Sequence, residues 1–524
     1  MPERLVPGIY VEEVPRGEQR IATAPNLVTA FVGRTLSGPV NDPVEISSID
    51  EYHRVFGGPW DASTIGPSLH DYFENGGRQA LVVRVINGGR RVSLRLPAGD
   101  ECLALEALSP GEQEWLRASI DYDNIDPADT RSFNLILQRV RGAGSERVSH
   151  QEIYARVSTD RSSSRYIGDA LIESSLMRIQ GPVPTDRPDR TVGPGPGAPV
   201  SWVVIEQSGS GGSPLTDYDI IGSATQRSGI FALQKASQFQ LLCIPPPALA
   251  IDIGPAVLLA ATRLCRQQRA VLILDPPTCC EDPVDLSMWL DKLNYNSENA
   301  LMAFPRLVGG NSPDLPVVAR GACGAVAGML SRRDRTQDAW TPWEETPLLL
   351  RGTARPAQDI AAADADKLIS KGVNVFHGSA GGRVILKGER TQAGPDCPVS
   401  AFRSIRVRRL SLMVEEALRH GTRWVVFEAP GPELRERVRE QVENYLSGLD
   451  ARGAFAAGGG CPPFFVKCDS ETNPQGDDSR ASLHFIVGFA VTEPGNYLIF
   501  RVSQTVEAAK VVPVSMDRFR FSGA

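Results

Sequence analysis

Residues 241–277 read LLCIPPPALAIDIGPAVLLAATRLCRQQRAVLILDPP, and this stretch decides the fold. Leu241-Leu242-Cys243-Ile244 is a short apolar run closed by Pro245-Pro246-Pro247. Val271-Leu272-Ile273-Leu274 is a second one, closed by Asp275-Pro276-Pro277. Runs of this length bounded by prolines read as strands buried on both faces. Between them, Val257 to Arg266 sets Val257, Ala260, Ala261 and Leu264 on one face of a helix. Two apolar strands flanking a helix form a parallel βαβ unit, whose sheet is covered on both sides.

The same alternation extends upstream. Ala30-Phe31-Val32 closes on Gly33; Ile49 to Phe56 has helical spacing and stops at Gly57-Gly58. Ser68 to Glu74 is a second predicted helix, ended by Asn75-Gly76-Gly77, and Leu81 to Val85 is a strand. Gly229 to Leu233, continuing to Gln240, reads as a turn with a short helix. Residues 21–90 and 201–350 are therefore expected to build one discontinuous α/β domain. Residues 91–200 differ in kind. Val92, Leu94 and Leu96 alternate with polar residues, Leu135-Ile136-Leu137 and Tyr154 to Val157 are β-prone, and Gly193-Pro194-Gly195-Pro196-Gly197 is linker chemistry. This block is expected to be a β-rich inserted domain whose ends return to one place. Ser201 to Ile205 reads as a strand on the return.

Residues 351–496 are expected to form a C-terminal α/β domain. Ile405 to Leu418 is predicted helical with Gly421 as its stop, and Trp424-Val425-Val426-Phe427 is predicted as a strand ended by Pro430. Glu433 to Leu449 is the clearest helix, with the apolar residues Leu434, Val438, Val442, Tyr445, Leu446 and Leu449 at helical spacing. Phe464-Phe465-Val466 and Phe485-Ile486-Val487 read as strands. The ends, 1–20 and 497–524, read as arms. Each holds a β-prone run, Ile9-Tyr10-Val11 and Leu498-Ile499-Phe500-Arg501-Val502, and a second run, Val511-Val512-Pro513-Val514, lies near the end. The fold class is thus mixed α/β, multidomain, with extended terminal arms.

Composition narrows the function. The chain has 524 residues, and roughly 150 per domain gives three or four domains. Apolar residues are 42 % and net charge is −7, so no overall field draws it to nucleic acid or to an anionic membrane. The longest apolar stretch, Ala248 to Ala261, holds Asp252, Gly254 and Pro255 and does not predict a spanning helix. The acidic, proline-bearing start does not read as a signal peptide. Nine dispersed cysteines read as reduced thiols of a cytosolic protein. Only seven of the basic residues are lysines, the first being Lys235.

Catalytic patterns are missing from the sequence. It has no G-x-x-x-x-G-K-[ST] loop, no G-x-G-x-x-G after a strand, no H-E-x-x-H and no G-x-S-x-G. The six histidines are far apart, and Cys461 and Cys468 exceed the usual zinc spacing. No metal or cofactor is expected. His377-Gly378-Ser379-Ala380-Gly381-Gly382 reads as a flexible connection, with no base beside Ser379. The cluster Arg403, Arg406, Arg408 and Arg409 reads as a solvated face or ion-pair strip, with contact to a protein partner as its functional alternative.

Taken in order, these pieces resemble the tail sheath proteins of contractile phage tails and related injection systems. The resemblance rests on Pro7-Gly8-Ile9-Tyr10-Val11-Glu12-Glu13-Val14, Ala30-Phe31-Val32-Gly33-Arg34, Phe56-Gly57-Gly58, Phe73-Glu74-Asn75-Gly76-Gly77 and Leu272-Ile273-Leu274-Asp275-Pro276-Pro277. It continues through Gly388-Glu389-Arg390-Thr391, Arg408-Arg409-Leu410, Phe427-Glu428, Phe465-Val466-Lys467-Cys468-Asp469 and Phe500-Arg501-Val502. It departs from the family at Leu386-Lys387, where an aromatic is common, and in running about twenty residues past Val502. The resemblance implies a structural subunit, not an enzyme, assembled in the bacterial cytoplasm as part of a phage virion or phage tail-like particle. Its partners would be copies of itself in stacked hexameric rings, an inner tube protein, and baseplate and terminal cap proteins; nucleic acid and membrane are not expected. It also implies strand exchange between subunits through Ile9, Tyr10, Val11 and Glu12 at one end and Leu498, Ile499, Phe500 and Val502 at the other, with 506–514 as an alternative exported segment. The insertion 91–200 would project outward and 351–496 would face the tube. A different self-assembling shell or surface layer, and an α/β enzyme, are the rival readings.

Overall fold

In a computed structural model, residues 21, 27–58, 60–111, 115–140, 142, 145–192, 201–204, 209–236, 238–309, 319–379, 382–394, 397, 399–474, 482–505 and 508–514 are described. The strands in chain order are β1 (Thr29–Gly33), β2 (Val44–Ile46) and β3 (Ala80–Arg84); then β4 (Ser93–Ala98), β5 (Glu101–Ala107), β6 (Leu116–Asp121), β7 (Ser132–Val140), β8 (Val148–Ser158), β9 (Met177–Ile179) and β10 (Val203–Val204). They continue with β11 (Leu241–Cys243), β12 (Val271–Leu274), β13 (Ala300–Phe304), β14 (Leu307–Val308), β15 (Leu348–Leu349), β16 (Arg355–Pro356), β17 (Val373–Ser379) and β18 (Arg383–Lys387). The last are β19 (Phe464–Lys467), β20 (Ser482–Ala490), β21 (Tyr497–Thr505) and β22 (Ala509–Val514). The helices are α1 (Ile49–Phe56), α2 (Ile65–Glu74), α3 (Ile167–Ala170), α4 (Asp217–Ile221), α5 (Pro255–Gln268), α6 (Pro283–Leu293), α7 (Cys323–Thr336), α8 (Ala362–Ser370), α9 (Ile405–Gly421) and α10 (Pro432–Asp450). None of the described helices is long and apolar enough to cross a membrane.

Two units divide the chain, one built on 26–397 with 402–405 and the other on 406–524. The first holds a nine-stranded sheet in the order β15-β18-β17-β13-β12-β11-β1-β3-β2. Its six central strands, β3 to β17, run parallel. The proline-bounded runs form the predicted βαβ unit, with Leu241, Leu242 and Cys243 opposite Val271, Leu272 and Ile273. Pro255 opens α5 at its first position, where the missing N–H has no partner to lose. Val257, Ala261 and Leu264 then pack on Leu242 and Leu272 in one core, joined by Leu286 of α6 and Leu368 of α8. On the other face α2 and α7 cover β1, β11 and β12. There Tyr72 meets Phe31 edge-on at 5.4 Å.

The boundary of the C-terminal block moves. The sequence reading starts it at 351, but α8, β17 and β18 belong to the nine-stranded sheet: Met302, Ala303 and Phe304 pair in parallel with Val373, Asn374 and Val375. The first unit therefore runs to about 397. Asn374 locks the addition, because its side chain reaches the Met302 carbonyl at 3.0 Å and both main-chain groups of Arg390 at 2.8 Å.

Residues between β3 and β11 build two further sheets, β4-β5-β9 and β10-β6-β7-β8. Leu94, Leu96, Leu103 and Leu105 of one meet Ile120, Phe133, Leu135 and Leu137 of the other in a single core. Bridges Asn87–Ser213 and Arg90–Ser210 hold the entering and leaving chain side by side. Of the strand predicted over Ser201 to Ile205, only Val203–Val204 is a strand in the described residues.

A buried acid ties β12 to α7. Asp275 ends β12, and its Oδ1 accepts the Cys323 N–H at 2.8 Å, capping a helix whose own N-cap, Ala322, has no side-chain acceptor. Its Oδ2 is shut from solvent without a donor. Burial pushes the Asp275 carboxyl up, partly opposed by the Cys323 bond and by Arg306. A raised folded pKa makes its contribution to stability fall as pH rises from the ordinary carboxylate value toward the folded one. We expect Asp275→Asn to gain in thermal midpoint relative to wild type as pH goes from 4 to 7; a constant difference in paired melting curves would refute this.

Candidate functional site

The second unit is organised by the sheet β19-β20-β21-β22, antiparallel throughout. Aromatics set its core. Phe489 stacks on Phe500 at 5.6 Å and Phe455 approaches Phe489 at 5.3 Å. Below it, α10 buries Leu434, Val438, Val442, Leu446 and Leu449 of the apolar set read from the sequence, while Tyr445 is half-buried. Two amides fix the sheet edgewise. Gln504 donates to Thr422 Oγ1 at 2.6 Å and to the Arg419 carbonyl at 3.2 Å, anchoring β21 to the end of α9. Asn473 pairs with both main-chain groups of His484, at 2.7 and 2.8 Å, and so acts as a one-residue strand partner for β20. The sequence reading missed both; the turn Asp469-Ser470-Glu471-Thr472-Asn473 was the available signal, since Asp and Asn hold such turns through their side chains.

The four C-terminal strand candidates lie within this chain's own sheet. Leu498, Ile499, Phe500 and Val502 lie in β21, an interior strand of this chain's own sheet. Phe500 sits between Val487 and Pro513, and Val502 between Phe485 and Val511. Within this chain the strand thus carries a ladder on each side. The alternative segment is β22, at the rim. Ile9, Tyr10, Val11 and Glu12 lie outside the described residues.

Among the described residues, no strand pairs with the outer side of β19 or of β22. An open strand edge is a template for another chain. β22 carries Lys510 and Pro513, the residue types that blunt casual pairing. β19 presents Phe464, Phe465, Val466 and Lys467, each half-buried.

The four arginines divide between the two units, Arg403 in the first and Arg406, Arg408 and Arg409 in the second. Arg403 belongs to the first unit, where its Nε reaches the Gly394 carbonyl at 3.3 Å. Arg408 is buried within α9 and pairs with Glu415 at 3.2 Å, with Ser411 beside it. For Arg408 this is the ion-pair arrangement, made within its own helix. Trp424 to Phe427, predicted as a strand, lies in a 3-10 turn, Arg423–Phe427. It is the short link between α9 and α10, packed near β20 and β21 but paired into no sheet among the described residues; Val425 is buried while Phe427 is 84 % exposed.

Outside this unit, His70, Asp71 and Glu74 bring ligand atoms within 4.8 Å of one another, a grouping not anticipated from spacing. Both Asp71 oxygens are already held by the Arg320 fork at 2.7 and 2.8 Å, so the grouping is an ion pair between elements and not an open ligand set.

Residues 398–505, which include α9, α10 and β19 to β21, match the phage tail sheath C-terminal domain family. The tail sheath protein of Vibrio phage KVP40 is 28 % identical over 152 residues, 29 % of this chain and 21 % of that relative, so the match spans about a fifth of it. The whole chain is similar in fold to a sheath tail protein from Listeria innocua, with 12 % identity, a TM-score of 0.62, and coverage of 93 % of this chain and 97 % of that one. It is also similar to the sheath of an extracellular contractile injection system in its contracted state, with 14 % identity, a TM-score of 0.55, and coverage of 97 % and 99 %. A third similar structure is the contracted helical sheath of the anti-feeding prophage, with 16 % identity, a TM-score of 0.53, and coverage of 95 % and 98 %. The chain thus matches the phage tail sheath C-terminal domain over residues 398–505, and its fold as a whole is similar to that of solved sheath proteins.

Proposed function

We propose that this chain is the repeating subunit of a contractile sheath. It polymerises as stacked hexameric rings around an inner tube, between a baseplate and a terminal cap, and its shortening drives the tube through a target envelope. Assembly takes place in the bacterial cytoplasm. The observation that carries the reading is the sheet of the second unit, whose outer strands, β19 inside the matched sheath C-terminal region and β22 just beyond it, have no further partner strand among the described residues. A polymer that must survive large subunit movements needs links that do not depend on side-chain docking alone. Strand addition supplies main-chain hydrogen bonds for strength and alternating side chains for register. The N-terminal run Ile9-Tyr10-Val11-Glu12 has the β-branched and aromatic character to occupy such an edge on an adjoining copy. Head-to-tail contacts of this kind generate a helical array.

The work of contraction is stored in assembly: the extended lattice is held by a kinetic barrier above the shorter one. No nucleotide is consumed. In this arrangement the insert between β3 and β11 projects outward and the C-terminal unit faces the tube.

Deletion of residues 1–17 tests the reading. We expect folded subunits, with far-UV circular dichroism like that of the full chain, that form no stable tubes in negative-stain images, whereas the full chain does. Tubes of normal length from the truncated chain would overturn the N-terminal link. Extended particles that contract only when ATP is added would overturn the energy source.

A further inference from the structure

Cys279 and Cys280 lie in the loop that leads from β12 to α6, and their sulfurs stand 4.0 Å apart. Cys279 is exposed, while Cys280 is buried in the core that also holds Leu286 of α6. The separation is informative. A disulfide would place the two sulfurs at about 2.05 Å. Two thiolates on one tetrahedral zinc ion, each bonded at about 2.3 Å, lie about 3.8 Å from each other. The pair therefore already has nearly the spacing of two adjacent ligands of one ion, and it can be reached from the Cys279 side.

Two anchors hold the loop in this shape. Upstream, the Thr278 N–H donates to both Asp252 oxygens, at 2.9 and 3.0 Å, and its hydroxyl to one of them at 2.7 Å. Downstream, the Asp282 carboxylate caps α6 by accepting the Val284 and Asp285 N–H groups at 2.8 Å. Between the anchors, the Cys280 N–H closes a turn on the Pro277 carbonyl at 3.1 Å. The ordering that a ligand would otherwise have to impose is thus present beforehand. The surroundings suit a cation. Burial first, then Cys279, then the Asp285 and Asp252 charges raise the Cys280 thiol above its ordinary pKa. Negative groups so placed oppose a bare thiolate and are offset by an ion that brings positive charge with it. Among the described residues no third histidine, cysteine or acid joins the pair in a set whose ligand atoms all lie within 4.8 Å of one another.

We propose that Cys279 and Cys280 form a dithiolate site for a borderline-soft divalent cation of the zinc class, with water in the remaining positions. Binding exchanges the two thiol protons for two metal–sulfur bonds and consumes no oxidant. The site lies within the first unit and does not depend on the sheath reading.

The test uses the reduced full-length chain, whose nine thiols are counted under denaturing conditions before the reductant is removed. Cadmium, a spectroscopic stand-in for zinc, is titrated in at neutral pH while thiolate-to-metal charge transfer is followed in the ultraviolet. The wild type is expected to develop a band that saturates at a single ion per chain. Cys279→Ser changes an exposed side chain and is expected to keep the fold. It is expected to lose the band and to weaken zinc binding by about 100-fold in competition with a chelator, the upper end of what loss of a mere supporting partner costs a metal site. Cys461→Ser removes the other exposed thiol and is expected to alter neither measurement. Magnesium in large excess is expected not to displace cadmium, because thiolates select softer ions. A wild type without the band, an undiminished band in Cys279→Ser, a loss in Cys461→Ser as large as that in Cys279→Ser, or displacement by magnesium would overturn the site.

Discussion

Replacing Asp71 by alanine is expected to destabilise the first unit by about 3–5 kcal/mol, among the largest effects open to a single side chain in this fold. Asp71 is 0 % exposed and the Arg320 side chain 5 %. Both Asp71 oxygens accept from the fork, Nη2 at 2.7 Å and Nε at 2.8 Å, while Nη1 donates to the Gly309 carbonyl. The pair joins α2 to the turn that leads into α7, residues 249 positions apart in the chain. Removing the carboxylate leaves a guanidinium buried without its counter-charge, and desolvation of that charge is the larger part of the loss. The distinction can be measured. Asp71→Leu with Arg320→Met, which removes both charges and keeps volume, is expected to recover most of the stability in urea unfolding. Asp364→Ala, which breaks the exposed Lys367 pair, is expected to cost roughly 0–1 kcal/mol. A loss at Asp71 no larger than that at Asp364 would sink the argument.

The sequence carried the α/β unit clearly because its signals are local. Leu241 to Cys243 and Val271 to Leu274 announce themselves by apolar runs that stop at prolines, and α10 by its spacing. What was lost lies in pairing between distant segments. Nothing local in Val373 to Val375 says that it docks on β13 and so pulls the unit boundary past 390. Leu498 to Val502 has the composition of any strand, and only the neighbours Phe485 to Phe489 and Val511 to Val514 make it interior. Trp424 to Phe427 failed for the opposite reason: β-branched and aromatic residues in a row favour a strand only where a partner strand is available. The arginines were read as neighbours because they are close in sequence, yet Arg408 turns into α9 toward Glu415 and Arg403 faces a cavity of the other unit. That β19 and β22 are the outermost strands of their sheet among the described residues was not legible at all, because an edge is defined by what does not pair with it.

Gly324→Ala is expected to destabilise by about 1–3 kcal/mol, against the sign that helix propensity dictates. In the interior of a helix, alanine normally outperforms glycine by about 1 kcal/mol. Gly324 and Gly328 lie one turn apart on α7, facing α2. A Cβ at Gly324 would overlap the Ser68 carbonyl oxygen, and one at Gly328 would overlap that of Tyr72. These oxygens belong to the backbone of α2 and cannot rotate aside, so the helices would have to part. Parting them also strains the Asp275 cap on α7 and the Asp71–Arg320 pair beside it. The effect of Gly324→Ala with Gly328→Ala is therefore expected to exceed either change alone and to remove soluble, folded protein. Gly448 on α10 provides the control, since nothing lies within 4 Å of a Cβ built there. Gly448→Ala is expected to stabilise by about 0.5–1 kcal/mol, as the loss of backbone freedom in the unfolded chain alone would give. Opposite signs at Gly324 and Gly448, read from denaturant midpoints of the two single variants, are the required outcome; a stabilising change at Gly324 would mean that the α2–α7 backbones are not in contact.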